Sequence, residues 1–171
     1  MIRKIIFFIL FKTFLLFPSA KAQIVAAGGD FSLVLCYDGT VKAFGKNGYG
    51  NLGDGTTTDR NTPVQVNSVS GIIAIAAGES FSLFLKSDGT VWVCGTNRYG
   101  TLGNGTSDLI SHPNPQQVPT LSNVVAIAAG AQHATCLKND GTVWAWGENN
   151  YYQLGDGTMT SRYTPIQVPF L

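Results

Sequence analysis

Histidine and cysteine, which build many catalytic and metal sites, are scarce in this chain. Its 171 residues include two histidines and three cysteines. The cysteines, Cys36, Cys94 and Cys136, form no CxxC pair, and their odd number argues against a disulfide framework. No Gly-x-Ser-x-Gly segment, phosphate-binding glycine loop or closely spaced glutamate pair occurs. The sequence therefore predicts a protein that is not an enzyme, with no catalytic residues, no metal and no cofactor.

Positive charge is also sparse, and it is not clustered. Only 12% of the residues are charged, and the lysines and arginines are scattered one or two to a loop. A nucleic-acid-binding domain concentrates basic residues on one face or along one helix. This distribution predicts an ordinary solvated surface and no nucleic-acid partner.

A basic and apolar leader opens the sequence. Two basic residues precede an apolar run from Ile5 to Phe17, and an A-x-A site ends at Ala22. This order is typical of a secretory signal peptide over residues 1–22, cleaved between Ala22 and Gln23. The apolar run is too short to cross a bilayer comfortably. We therefore expect a secreted or periplasmic protein with no stable membrane anchor.

One pattern recurs three times after the leader, at a spacing of about fifty residues. Each copy contains Ala-Ala-Gly, Asp-Gly-Thr, Leu-Gly-Asp/Asn-Gly and a closing Pro-x-Gln-Val. The copies cover approximately residues 23–66, 72–118 and 124–168, and the second has two extra residues before its closing proline. Self-similarity at a fixed period of this size indicates a solenoid, a propeller or an array.

Each copy is predicted to contain four short strands. Apolar runs flank the Asp-Gly pair, which is a strong hairpin signal. A two-residue type I′ turn at that pair would place Leu35 opposite Lys42 and Leu137 opposite Trp144. Both faces of each hairpin are apolar, so each sheet should lie between two neighbouring sheets, as the blades of a propeller do.

The repeat resembles a known family, the regulator of chromosome condensation repeat. The segment from Val124 to Thr158 matches its pattern almost throughout, Ile72 to Thr106 matches well, and Val25 to Thr56 matches more loosely. The resemblance implies an all-β fold of propeller blades, each with four short antiparallel strands. Members of the family have unrelated functions, so the resemblance does not by itself imply one.

Three blades are fewer than a closed ring requires, because propellers close with roughly 4–8 blades. The sequence therefore predicts a partial or open propeller with two uncovered end faces. Lys42 stands where the other copies have Trp92 and Trp144, and a lysine there could cap an exposed end. The chain is expected to be part of a longer repeat array or to form a homodimer with six blades.

The recurrent loop tyrosines are the predicted contacts with a protein partner. Tyr49, Tyr99 and Tyr151 recur after the third strand, with Tyr152 added in the last copy, and loop aromatics suit a binding surface. The alternative is that each tyrosine packs on its own blade. His133 replaces Phe31 and Phe81, which indicates packing, and Asp54 and Asp59 lack the spacing of a calcium loop.

We therefore predict a secreted, non-enzymatic repeat protein that binds another macromolecule through its blade loops. One alternative is a fragment or accessory domain of a larger secreted enzyme. Another is a regulator similar to a guanine-nucleotide exchange factor. The sequence does not identify the partner.

Overall fold

A computed structural model describes residues 22–169, and this part of the chain is built from twelve strands. The strands are β1 (Ala22–Ala27), β2 (Phe31–Cys36), β3 (Val41–Gly45), β4 (Arg60–Gln65), β5 (Ile72–Ala77), β6 (Phe81–Lys86), β7 (Val91–Gly95), β8 (His112–Gln117), β9 (Val124–Ala129), β10 (His133–Lys138), β11 (Val143–Gly147) and β12 (Arg162–Gln167). Within residues 22–169, no helix is long and apolar enough to cross a membrane.

The strands form three antiparallel sheets of four, in the order β1–β2–β3–β4 and its two repeats. We call them blade 1 (β1–β4), blade 2 (β5–β8) and blade 3 (β9–β12). The predicted all-β fold of three four-stranded blades is confirmed. The closing proline of each copy lies in an edge strand, where its missing N–H removes no ladder hydrogen bond. The two extra residues of the second copy precede β8 and lie in a loop.

The predicted hairpin register is wrong by one residue. Lys42 lies opposite Val34, and Trp144 lies opposite Cys136. The turn in blade 1 holds three residues, because the N–H of Cys36 donates to the carbonyl of Thr40 at 2.9 Å. Only the glycine of the Asp-Gly pair is left-handed, with φ +76° at Gly39, so the turn is a type I turn followed by a left-handed residue.

We call the side of each blade that faces the next blade along the chain its forward face, and the opposite side its rear face. The forward face of blade 1, at Leu33, Leu35 and Val41, shares a buried cluster with Phe84 and Cys94 of blade 2. The forward face of blade 2 forms the second cluster with blade 3. The members of that cluster from blade 3 are Val124, Ala134, Cys136 and Trp146. Burial of these apolar side chains is the main force that stacks the blades.

The Ala-Ala-Gly segments bring the blades together at the propeller axis. The N–H of Glu79 donates to the carbonyl of Ala131 at 3.0 Å, which joins blade 2 to blade 3. A Cβ on Gly28 would lie 2.6 Å from the carbonyl oxygen of Gly78 and 2.2 Å from the Phe31 ring. Only glycine fits there, because both the neighbouring blade and the aromatic ring approach the backbone.

Two faces have no neighbouring blade within the described part of the chain. The rear face of blade 1 carries Val34, Lys42 and Phe44, all half-buried, so Lys42 does lie on an end face. The forward face of blade 3 carries Thr135 and Leu137. Trp144 and Trp146 are on the opposite, covered side of blade 3, and Trp146 is fully buried.

Candidate protein-binding groove

A buried asparagine shapes the long loop after the third strand of each blade. In blade 1 the amide group of Asn47 donates to the carbonyl oxygens of Thr56 and Thr58 at 3.0 and 3.1 Å. Its Oδ1 accepts the N–H of Leu52 at 2.9 Å. The equivalent Asn97 and Asn149 are also fully buried and make corresponding bonds. A buried amide that is hydrogen-bonded on both sides holds its loop in one shape.

Sequence reasoning overlooked this asparagine, although it recurs at the repeat spacing. Asn47, Asn97 and Asn149 each stand two residues after the glycine that ends the third strand. That recurrence was the available signal. The recurrent tyrosines close to them were instead predicted to contact a partner, because aromatic residues are common in interfaces.

The acidic residues considered for calcium are engaged with protein groups. Asp54 Oδ2 accepts a hydrogen bond from Arg60 Nε at 2.7 Å, and Asp59 Oδ1 accepts the N–H of Asn47 at 2.7 Å. Burial would raise the pKa of Asp54, but hydrogen bonds from Thr56 and Arg60 outweigh it and lower that pKa. Residues 22–169 contain no cluster of three or more histidine, cysteine or acidic side chains that could hold a metal ion.

A groove of about 590 Å³ crosses the face that carries these loops. Its wall contains charged, aromatic and apolar side chains from all three blades: Asp30, Phe31, Lys46, Tyr49, Asn51, Glu79, Ser80, Thr96, Arg98, Tyr99, Leu109, Gln132 and Glu148. Nine of these thirteen side chains are polar or charged, so the groove offers mainly charged and hydrogen-bonding groups, with apolar contact from one leucine and three aromatic rings.

The three copies differ from one another at the groove. Glu79 occupies a position where the other copies have glycine and alanine, and Arg98 one where they have glycine and asparagine. Lys46, Thr96 and Glu148 share a third such position. The asparagines that shape the loops are identical in all copies. The blade architecture is therefore repeated, whereas the chemistry of the groove is individual to each blade.

The charged groups of the groove have partners that orient them. Lys46 Nζ lies 3.2 Å from Asp30 Oδ2, in an exposed ion pair. The Arg98 guanidinium lies 5.4 Å from the centre of the Tyr99 ring, within the range of a cation–π interaction. Glu79 accepts a hydrogen bond from Gln132 of blade 3. Arg98 and Tyr99 therefore lie beside each other in the groove wall.

The inserted loop of blade 2 places an apolar side chain at the groove. Leu109 is 80% exposed and lines the groove. The preceding Asp108 fixes the loop, because its carboxylate accepts a hydrogen bond from Asn97 Nδ2 at 2.9 Å and pairs with His112 Nε2 at 2.9 Å. Ser111 donates to the carbonyl of Gly48 in blade 1 at 3.0 Å. The loop is thus attached to two blades while Leu109 faces solvent.

The four tyrosines are divided between two locations. Tyr49 and Tyr99 line the groove. Tyr151 and Tyr152 lie in the equivalent loop of blade 3, outside the groove wall, and are 83% and 58% exposed. The structure therefore brings together two of the four residues predicted to bind a partner.

His133 and the predicted cleavage site, which the sequence also pointed to, both lie in strands of the blades. The His133 ring packs against Gly130, as Phe31 and Phe81 pack against their glycines, and burial lowers its pKa. Ala22 and Gln23, the predicted cleavage site, belong to β1, and the rest of the predicted signal peptide lies outside the described residues.

Sequence comparisons cover most of the chain. The pattern of the Regulator of chromosome condensation (RCC1) repeat matches residues 38–85, 88–137 and 140–171, and a second pattern of the same description matches 23–51, 72–101 and 124–153. The Ultraviolet-B receptor UVR8 of Arabidopsis thaliana is 34% identical over 156 residues, which are 90% of this chain and 36% of the receptor. The E3 ubiquitin-protein ligase HERC2 of Homo sapiens is 34% identical over 86% of this chain and 3% of the ligase.

Solved structures share the fold. Prp20p from Saccharomyces cerevisiae, described with its binding to Gsp1p and histones, has a TM-score of 0.77 at 22% identity. The match covers 86% of this chain and 38% of Prp20p. Human WBSCR16 has a TM-score of 0.76 at 24% identity, over 86% and 39% of the two chains. This chain thus spans about two fifths or less of the length of these proteins, and by its sequence it belongs to the RCC1 repeat family.

Proposed function

We propose that this chain is an exported, non-enzymatic binding module that holds an extended segment of a protein partner in the groove. The observation that carries the proposal is that the charged groove-lining positions differ from blade to blade on a repeated scaffold, although the aromatic residues Phe31, Tyr49 and Tyr99 belong to the repeat. Side chains that only supported the fold would be expected to recur with it. Residues such as Glu79, Arg98 and Leu109 do not recur.

The chemistry of the groove indicates the kind of segment it would take. Glu79 and Glu148 suit a basic side chain, and Arg98 suits an acidic one or a carbonyl group. Leu109 and the rings of Tyr49 and Tyr99 offer apolar contact. The proposed ligand is therefore a peptide with at least one basic and one apolar side chain.

Export is the second part of the proposal, and it rests on the basic, apolar and A-x-A order of residues 1–22. The full chain should be recovered outside the cytoplasm as a form that begins at Gln23. Mass spectrometry of the secreted fraction tests this. Recovery of protein with Met1 intact in the cytoplasm alone would overturn export and leave the groove unaffected.

A displayed library of short random peptides tests the groove. Peptides that bind the chain should lose at least about tenfold in affinity with Arg98→Ala or Leu109→Ala, a loss of about 1.4 kcal/mol. The matched control is Tyr151→Ala, which removes an exposed aromatic side chain outside the groove wall. Peptides that bind all three variants equally well would overturn the proposed site.

A second candidate function is that of an accessory domain in a larger protein. It is favoured by the match to HERC2, in which the matched region is 3% of a ligase. In that case the groove would still bind a peptide, and a catalytic domain elsewhere would act on it. Regulation similar to a nucleotide exchange factor is a third candidate, but residues 23–171 contain ten acidic and seven basic residues, which offers it no electrostatic support.

A further inference from the structure

The only two glutamates of the sequence, Glu79 and Glu148, both line the groove. Among residues 22–169 neither belongs to an ion pair, whereas five aspartates each pair with a lysine, an arginine or a histidine. Neutral amides hold the glutamate carboxylates instead: Gln132 bonds to Glu79, and Asn150 and Gln153 bond to Glu148. A neutral amide orients a carboxylate without compensating its negative charge.

The bond between Glu79 and Gln132 leaves one polar atom of the glutamine without a partner. Gln132 Nε2 of blade 3 donates to Glu79 Oε2 of blade 2. In this orientation Gln132 Oε1 is buried and has no hydrogen-bond partner within residues 22–169. The opposite orientation of the amide would place two oxygen atoms against each other. Gln132 therefore makes a favourable bond to a carboxylate and leaves a buried acceptor unsatisfied, which is unfavourable.

Stacking of two blades does not require this side-chain bond. At the junction of blades 1 and 2, Gly29 and Ser80 occupy the positions of Glu79 and Gln132. The N–H of Gly29 donates to the carbonyl of Gly78 at 3.3 Å, so that junction is joined through the main chain alone at this point. The junction of blades 2 and 3 has its own main-chain bond from Glu79. The additional side-chain contact is therefore specific to this part of the groove.

We infer that Glu79 binds an arginine side chain of the partner segment, and that Gln132 occupies this site until the arginine displaces it. The inference rests on the proposed function of the groove, and it names the group that the ligand carries and the residue that competes with it.

Two differences between the amide and a guanidinium favour the exchange. A guanidinium carries a positive charge and can donate two parallel hydrogen bonds to a carboxylate, whereas the amide of Gln132 donates one neutral bond. Displacement also frees the Gln132 side chain to turn, so that its buried Oε1 reaches a donor. Glu79 is exposed in the groove wall and accessible to such a ligand. The N–H of Glu148 donates to the main-chain carbonyl of Gln132 at 2.9 Å, so the second glutamate follows directly on the same wall.

Titration of the full chain with N-acetyl-arginine methylamide, followed by nuclear magnetic resonance, tests the inference. The matched probe is N-acetyl-citrulline methylamide, which has nearly the same shape and no charge. The arginine probe should shift the signals of Glu79 and of the Gln132 side-chain amide in a saturable manner, and the citrulline probe should not. Glu79→Gln should weaken binding of the arginine probe at least about tenfold, because the carboxylate is lost.

Replacement of Gln132 should have the opposite effect. Gln132→Ala removes the competing amide, so the arginine probe should bind at least about threefold more tightly. Gln132→Met keeps the length of the side chain without its donor and should act in the same direction, which guards against misfolding of the alanine variant. The control is Ser80→Ala, at the equivalent position of blade 2 in the same groove wall, which should leave the affinity unchanged.

Two results would overturn the inference. Equal responses to the two probes, or no saturable response to the arginine probe, would show that Glu79 does not bind a guanidinium. Unchanged or weaker binding in both Gln132 variants would show that Gln132 does not compete with the ligand. Failure of the proposed function is recognised separately. A clear arginine site in a chain that selects no peptide from the library would overturn peptide binding alone. Selected peptides that need Arg98 and Leu109 but tolerate Glu79→Gln would overturn this inference alone.

Discussion

Trp146 Nε1 of blade 3 donates a hydrogen bond to the carbonyl oxygen of Thr101 of blade 2, at 2.9 Å. Both residues are fully buried. The bond joins the rear face of blade 3 to the loop of blade 2 that carries Arg98 and Tyr99. Stacking of the blades and the shape of the groove are therefore coupled through this pair.

The Trp146 bond should contribute measurably to stability. Trp146→Phe leaves the Thr101 carbonyl buried without its donor and removes apolar volume, so the free energy of unfolding should fall by about 2–4 kcal/mol. Urea denaturation checks this. The control is Trp144→Phe, because Trp144 is half-buried and donates only to Thr142 in its own hairpin turn. Equal losses in both variants would contradict the role of the blade junction.

The buried loop asparagine should contribute more to the free energy of unfolding than an exposed asparagine does. Asn47→Ala removes hydrogen bonds to both Thr56 and Leu52 and leaves buried backbone groups unpaired. The free energy of unfolding should fall by about 3 kcal/mol. The exposed Asn150 provides the control, since Asn150→Ala should change stability by less than about 0.5 kcal/mol. If Asn47→Ala behaves like Asn150→Ala, the asparagine does not organise the loop.

Two hairpin glycines allow the cost of a left-handed alanine to be measured with and without a contact to the neighbouring backbone. Gly141 has φ +86° and open space around it, whereas a Cβ on Gly89, with φ +79°, would lie 3.1 Å from the backbone of Asn123. Gly141→Ala should cost about 1–2 kcal/mol, the penalty of a left-handed alanine. Gly89→Ala should cost more, because the linker to blade 3 must also move. Thermal or urea unfolding of the two variants, compared with the unaltered chain, measures the difference.

Stability should decrease in acid because of the loop carboxylates. Burial would raise the pKa of Asp156, but bonds from Thr158, Arg162 and Asn149 lower it below the ordinary 3.8. A lowered folded-state pKa means that the ionised form stabilises the fold above the unfolded-state pKa. This contribution is lost as the pH falls below about 4 towards the folded-state pKa.

Asp156→Asn isolates this pH effect. Asparagine is compatible with the loop, since Asn104 stands at the same position in blade 2. The variant should be less stable than the unaltered chain at pH 7, and its stability should fall less steeply between pH 4 and the acid unfolding transition. Urea denaturation at a series of pH values checks this. An unchanged pH dependence would show that the ion pair with Arg162 is not responsible.

The repeat spacing was sufficient to predict the blades but not the register. Apolar runs on both sides of Asp-Gly are compatible with a two-residue or a three-residue turn. The three-residue turn is stabilised by Asp38 Oδ1, which accepts the N–H of Thr40 at 3.0 Å. The threonine that follows each Asp-Gly pair was the signal for this geometry, because it completes an Asx turn.

The groove was harder to predict because its residues are brought together only by the stacking of the blades. Glu79 and Gln132 are separated by 53 positions and belong to loops of different blades. They carry no repeat pattern of their own, so periodicity cannot find them. Tyr49 and Tyr99 were found because they recur, and Tyr151 and Tyr152 were grouped with them for the same reason, although they lie outside the groove wall.

Hydrogen exchange of the chain with a selected peptide tests the proposed function most directly. The peptide would come from the displayed library and would be compared at saturating and zero concentration. The account predicts slower exchange in the loops that line the groove, around residues 79–80, 96–99 and 107–111, with little change on the end faces of blades 1 and 3. Protection confined to the rear face of blade 1 or the forward face of blade 3, with the groove loops unchanged, would contradict it.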